Sequence, residues 1–440
     1  MTTLQTLLFT PLIAALVARL LVRQPQLVGA VASGGLWVWL RGVGVSGTAV
    51  IFWNQPMLLT PDNHALLLTM LAGLFILFSL AIIFPSGDWF VAGGLVGFAF
   101  LAASLLAQTF AVAMGLLLLA IGSLALAVQS GQAGSVRGSF RYLLAGLLAV
   151  PLLLIANWQL EAQPLDWQLP LSQLVAIAAL LLLAGFPFHI WLQTVVNEAK
   201  PLPLVLVAGW APIVPLTLLF QALTIRPNLT DATFRQLIML SGGLTLLVAG
   251  VLAVTAVHLR RAIGNILLLD MALTILTLLL PTSLGRETAV TLQIGRFGSL
   301  LLVAGGWVLL QRHQPVLPMD RLPKGFGRQS PLSVALLGVG LFSLLGLPFT
   351  VGFAGHWQLL TAVAEQANLG NLPWWLPALA LLGLGLGAAG ILRLLAVLLT
   401  KREDDGGETA VSEPLWLQLV IGAVLLVVLG LGLFPQTAIG

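Results

Sequence analysis

Gly185-Phe186-Pro187-Phe188-His189-Ile190-Trp191 interrupts one long apolar stretch of this chain. Gly346-Leu347-Pro348-Phe349-Thr350-Val351-Gly352-Phe353 interrupts another, and Ala354-Gly355-His356-Trp357 follows it. Unwound backbone is tolerated at membrane depth only where protein or enclosed water satisfies it. Counted from the N-terminus, the interrupted spans are the seventh and the twelfth of about fourteen, five apart. Breaks at corresponding places in two halves point to an ion-handling site in a membrane transport fold.

Composition agrees with a membrane chain. Of 440 residues, 59% are hydrophobic and only 8% charged, whereas a soluble globular protein carries about 25% charged residues. A span needs roughly 20 mostly apolar residues, so about fourteen fill the chain, with short loops between them. The net charge of +4 comes from basic residues scattered among loops, which is no nucleic-acid footprint. Cysteine is absent, which excludes disulfides and thiolate-bound metal or iron–sulfur centres. No basic n-region precedes the apolar stretch 4–22, so that stretch reads as a retained span rather than a cleaved signal.

Spans are expected near 4–22, 25–43, 63–84, 89–107, 109–129, 139–157, 170–193, 201–223, 236–258, 262–281, 290–311, 332–364, 373–399 and 415–434. Residues 44–62 read as an irregular or hairpin-like external loop. Fourteen Lys and Arg lie by loops after odd-numbered spans, among them Arg137, Arg141, Arg260, Arg261, Lys401 and Arg402. Only Arg41, Arg226, Arg235 and Arg286 lie by even-numbered ones. Basic residues stay on the cytoplasmic side, so both termini are expected on the other side. The longer basic loop 315–331 fits either the docking of a soluble partner or positive-inside retention, and Glu403-Asp404-Asp405 marks a solvated connector.

The motifs resemble those of a known family. Pro187-Phe188-His189-Ile190-Trp191 looks like the Pro-Phe-His-x-Trp of the antiporter-like, proton-channel membrane subunits of respiratory complex I, relatives of Mrp-type antiporters and membrane-bound hydrogenases. Pro201-Leu202-Pro203, Trp210-Ala211-Pro212, Leu347-Pro348 through Gly355, and Arg260-Arg261 before an apolar span are most similar to the N-type chain, subunit 2. The resemblance covers roughly 85–400. It implies an all-α polytopic fold with two inverted five-helix repeats, spans four to eight (85–223) and nine to thirteen (236–400). Three N-terminal spans (1–84) and a C-terminal span (415–434) flank them. It also implies a Lys or carboxylate beside each broken helix and a hydrated polar axis across mid-membrane.

Departures from the pattern fall mainly in the first half. The family's seventh-span Lys falls on Leu182, its eighth-span Lys on Ile213, and its fifth-span Glu in the apolar run Met114-Gly115-Leu116-Leu117. In the second half, the twelfth-span Lys becomes His356 and a family polar position falls on Asp270.

An ionisable group at bilayer depth costs about 2.5–3.5 kcal/mol on insertion scales, so each one invites a functional reading. Three lie inside second-half spans: Asp270, Arg296 and His356. Histidine titrates near neutral pH, so His356, just past a break, suits a proton relay; a neutral ring bonded to freed backbone is the alternative. Asp270 and Arg296 read as a pair across spans ten and eleven, either structural or part of a relay. His189 fits the family motif, as a proton carrier or as packing for the broken helix. Glu198 and Lys200 border the cytoplasmic entrance, or form a solvated loop pair. The sequence has no phosphate loop, paired-His metal motif or Ser-His-Asp set at meaningful spacing.

The resemblance therefore implies a membrane-arm subunit of a complex I-type NAD(P)H or ferredoxin:quinone oxidoreductase, contributing to proton translocation with a degenerate first-half path. No cofactor is expected on this chain; quinone and redox centres belong to partner subunits. The partners are other membrane-arm subunits and the bilayer of an energy-transducing membrane (cell inner or thylakoid membrane). Two other readings stand beside it: a cation/proton antiporter component of an Mrp-like or ion-uptake complex, and a non-conducting structural spacer.

Overall fold

The computed structural model describes residues 3–20, 23–45, 49–52, 54–129, 136–162, 171–313 and 330–400. The expected span 415–434, the acidic run 403–405 with Lys401 and Arg402, and nearly all of the basic loop 315–331 lie outside the described residues.

Helices dominate. The order begins α1 (Thr3–Leu20) and α2 (Pro25–Arg41), then two short strands, β1 (Val50–Phe52) and β2 (Gln55–Met57). The strands pair antiparallel with Ile51 opposite Pro56, which gives the expected external loop its hairpin form. Next come α3 (Pro61–Ile83), α4 (Phe90–Leu106), α5 (Phe110–Gln129), α6 (Arg137–Ala162), α7 (Leu171–Leu182) and α8 (Ile190–Glu198). The eighth span is built of α9 (Pro201–Leu204), a π-helical stretch (Val205–Trp210) and α10 (Ile213–Ile225). Then follow α11 (Ala232–Thr255), α12 (Leu259–Leu276), α13 (Thr282–His313), α14 (Pro331–Leu344), α15 (Phe353–Asn368) and α16 (Trp375–Leu399).

Eight described helices are long and apolar enough to cross a membrane; the apolar window of α12 is wholly buried within the protein. Local signals place the helix ends. At α3, Thr60 accepts from the Asn63 amide at 3.1 Å, Pro61 occupies the first turn and Asp62 complements the helix dipole. In the eighth span Pro212 removes one amide donor, and the Ala211 amide reaches back five residues to Leu206 at 2.9 Å. The wider turn is the local answer to that lost bond.

Two compact units form. The first comprises residues 1–182 and 198–234; the second comprises 183–197 and 235 onward. The first unit is tied by the Trp210 indole, which donates to the Met70 carbonyl at 2.9 Å, and by Phe78 against Phe90, edge to face. In the second unit α12, α13 and α15 all carry buried polar groups. The apolar window of α12 is enclosed because α13, α14 and α16 pack on it.

Candidate functional site

Both interruptions are present, and each ends its first helix differently. After α14 the Gly346 amide donates to Ser343 at 3.0 Å and the Leu347 amide to Phe342 at 3.1 Å. Gly346 has φ +69°. This is the Schellman arrangement, in which a left-handed residue returns two amides to the last turn. Pro348 then prevents the helix from resuming. After α7 the left-handed residue is Ala184, with φ +55°. There the backbone is satisfied from α11: the Phe186 amide donates to Thr245 Oγ1 at 2.9 Å, and Ser241 Oγ donates to the Phe186 carbonyl at 2.5 Å.

Close packing lets the second break meet α13. A Cβ on Gly295 would lie 3.1 Å from Gly352 Cα, and one on Gly355 would lie 2.8 Å from the Leu292 amide nitrogen. Only small residues permit helices to approach so closely. The approach carries Arg296, next to Gly295, towards α12 and α15. The loop also leaves room for an imidazole, since a Cβ on Gly346 would stand 2.3 Å from His356 Cβ and Cγ.

At this crossing the structure brings together Asp270 of α12, Arg296 of α13 and His356 of α15, which are 0, 1 and 2% exposed. At that burial solvent cannot compensate the charges, so partners must. Arg296 Nε donates to Asp270 Oδ2, and its Nη2 donates to Thr274 Oγ1 and, at 3.2 Å, to the Asp270 carbonyl. Nη1 donates to Gln293 Oε1 at 2.7 Å. The planar fork of a guanidinium suits this array of acceptors.

His356 completes the group. Its Nδ1 lies 2.8 Å from the Gly352 carbonyl oxygen; a carbonyl only accepts, so Nδ1 carries a proton. Its Nε2 faces Asp270 Oδ1 at 3.2 Å, and neither atom has another hydrogen-bond partner among the described residues. A bare Nε2 lone pair against a bare carboxylate oxygen would repel. The contact is attractive only with a further proton held between the two atoms. The geometry thus gathers a carboxylate, a guanidinium and an imidazole into one buried cluster.

The remaining sequence candidates make other contacts. His189 is half-buried, its ring stacked on Phe186 at 5.8 Å, with Nδ1 buried and unpartnered among the described residues. No described hydrogen bond or ion pair joins it to Asp270. Glu198 accepts from the Gly138 amide at 2.5 Å, at the start of α6, and Lys200 flanks the start of α9. Gln293, Thr274, Ser299 and Ser343 were not read from the sequence, because neutral polar residues are common in helices. The one signal was spacing: Gln293 lies three residues from Arg296 and Thr274 four from Asp270, so each pair shares a helix face. In the first unit Leu116, Leu182 and Ile213 put apolar side chains at the positions where the resemblance expects charge.

Comparison with known proteins places this fold in a class of membrane subunits. The family model described as "NADH:quinone oxidoreductase/Mrp antiporter, TM" matches residues 102–375. A chain of the respiratory complex I of Thermus thermophilus with bound NADH superposes with a TM-score of 0.76 at 20% identity, covering 99% of this chain and 96% of that one. A chain of the Mrp complex from a Dietzia species gives 0.75 at 16% identity, covering 100% and 96%. These identities speak for the fold alone.

This chain belongs to the NADH:quinone oxidoreductase/Mrp antiporter transmembrane family and is an integral membrane protein. Curated relatives include the NADH-quinone oxidoreductase subunit N of Chromohalobacter salexigens, 27% identical over 267 residues, 58% of this chain and 53% of that protein. The subunit N of Alkalilimnicola ehrlichii is 24% identical over 376 residues, 80% and 75% respectively. The match to the first thus spans about half of that relative's length.

Proposed function

We propose that this chain is an antiporter-like membrane-arm subunit of a complex I-type quinone oxidoreductase, and that its second half takes up and releases a proton in each coupled cycle. The Asp270–His356 contact carries the reading: a buried pair that is attractive only when protonated can gain or lose a proton as its surroundings change. The names of the relatives and the family support the assembly. In this reading the first half, with Leu116, Leu182 and Ile213, lacks its usual stations. Spans four to eight and nine to thirteen are the two inverted repeats, and both termini face away from the cytoplasm. Quinone and the redox centres sit on partner subunits.

His356→Gln in the native assembly tests it. The amide keeps a polar group at the break but holds no proton. We expect electron transfer to continue while the number of protons moved per electron falls, measured by dye quenching in inverted membrane vesicles. An unchanged ratio would leave the spacer reading. Identifying the proteins that copurify separates the two transport readings, since dehydrogenase subunits mark one and antiporter subunits the other.

A further inference from the structure

Outside the charged cluster, the second break holds a chain of hydroxyl groups that no step has yet used. Ser299 Oγ donates to the Gly295 carbonyl at 2.7 Å and lies 2.7 Å from Ser343 Oγ. The Gly352 amide donates to Ser343 Oγ at 3.0 Å. With the Ser299 proton committed, the direction of the chain is fixed: Gly352 N–H to Ser343, Ser343 O–H to Ser299, Ser299 O–H to Gly295. Both serines are fully buried. Gly352 is therefore held from its amide side, and its carbonyl is the group that requires a proton on His356 Nδ1.

We infer that Ser299 and Ser343 are positioning residues that hold the Gly352 carbonyl against His356, and so set how many protons the Asp270–His356 pair contains. The inference rests on the proton-handling reading above. Three states of the pair differ in where their protons sit. With the carbonyl in place and one proton on the imidazole, that proton sits on Nδ1, and bare Nε2 opposes bare Oδ1. Adding a second proton between Nε2 and Oδ1 relieves the repulsion, and the cluster, Arg296 included, carries a net charge of +1. If Gly352 withdraws, the imidazole can keep a single proton on Nε2, donate it to Asp270, and remain neutral. The cluster is then neutral overall, and the other proton leaves to water. Movement of the Gly352 carbonyl, which also accepts from the His356 backbone amide at 3.4 Å, thus exchanges one proton.

Among the described residues the charged groups around the ring are few. Asp270 faces it from α12, and Arg296 from α13 lies behind that carboxylate. On α15 itself Glu365 is nine residues on, about 13 Å along the helix. From α16, Arg393 is exposed and donates to the Val254 carbonyl. None of these replaces the carbonyl on Nδ1.

Ser343→Ala removes the acceptor of the Gly352 amide while leaving every charge in place. In the intact assembly, infrared difference spectra against His356→Gln should show imidazolium in the unsubstituted protein at neutral pH, and a neutral, Nε2-protonated ring in a substantial fraction of Ser343→Ala. The alkaline fall-off of coupled pumping should move down by about half to one pH unit, a roughly three- to tenfold weaker hold on the proton. Ser299→Ala, which cuts the outer end of the chain, should shift both readouts the same way by less, and serves if Ser343→Ala does not assemble. A neutral imidazole in the unsubstituted protein at neutral pH overturns the inference whatever the serine variants do. An unmoved pumping profile in both serine variants, with His356→Gln still impaired, overturns it and leaves the proton-handling reading standing. Unimpaired His356→Gln removes both.

Discussion

Arg296 is the residue on which the buried cluster stands. A carboxylate and a guanidinium that are both removed from water are tolerated because each is the other's main partner, and breaking such a pair by deleting one member costs about 3–5 kcal/mol. Arg296→Met should therefore reduce the amount of folded subunit recovered in the membrane assembly, seen on native gels. Arg296→Lys should not restore it: a single ammonium cannot reach Asp270, Gln293 and Thr274 at once. At this scale the sequence was readable where it was unusual. Asp270, Arg296 and His356 stood out as ionisable groups in apolar surroundings, and the structure brings all three together. Gln293, Ser299 and Ser343 did not stand out, since a hydroxyl or amide satisfied by a nearby backbone carbonyl is ordinary in a membrane helix. Their importance comes from the crossing of α13 with the second break, which is a tertiary fact.

At the scale of elements, proline and glycine punctuation made both breaks legible. α7 and α8 are separate helices, as are α14 and α15. Less legible was α13, which begins at Thr282 rather than near 290, because Arg286 and Glu287 look like loop residues although a solvated helical turn accommodates them equally well. The π-helical turn before Pro212 was also hidden, for a hydropathy pattern carries no record of a one-residue change in winding. Both breaks hold a non-glycine residue in left-handed backbone, Ala184 at φ +55° and Phe349 at φ +67°. Gly346 takes a left-handed backbone without penalty, whereas Ala184 takes one at φ +55° with a Cβ present, a conformation that costs roughly 1–2 kcal/mol. Ala184→Gly should relieve part of that cost, less the entropy glycine adds to the unfolded chain. We expect a net gain of a few tenths to about 1 kcal/mol, read as greater resistance of the purified assembly to heating in detergent. Lower resistance would mean that the Ala184 methyl, fully buried, contributes more by packing than it loses by strain.

Over the whole molecule, the two units use their carboxylates for different purposes. In the first, Asp231 accepts from the Phe234 amide at 2.8 Å and from the Ser172 hydroxyl at 2.8 Å, and Glu198 accepts from the Gly138 amide. Both carboxylates face helix starts, those of α11 and α6, where a negative group complements the unpaired amides and the dipole. In the second unit Asp270 faces a guanidinium and an imidazole instead. One arrangement is satisfied without any proton changing place; the other is satisfied only with one. Glu198→Ala should therefore cost about 0.5–2 kcal/mol of stability, as the loss of a helix cap does, and leave the protons moved per electron unchanged. Asp270→Asn should lower that ratio, because an amide cannot share a proton with His356 Nε2 as a carboxyl does. The two variants, prepared in the same assembly and compared by vesicle acidification at matched electron-transfer rates, measure whether proton handling is confined to the second unit. If Glu198→Ala depressed the ratio as far as Asp270→Asn, the loss of Lys and Glu from the first half would not have silenced it, and the Glu198 carboxylate would be working as an entrance rather than a cap.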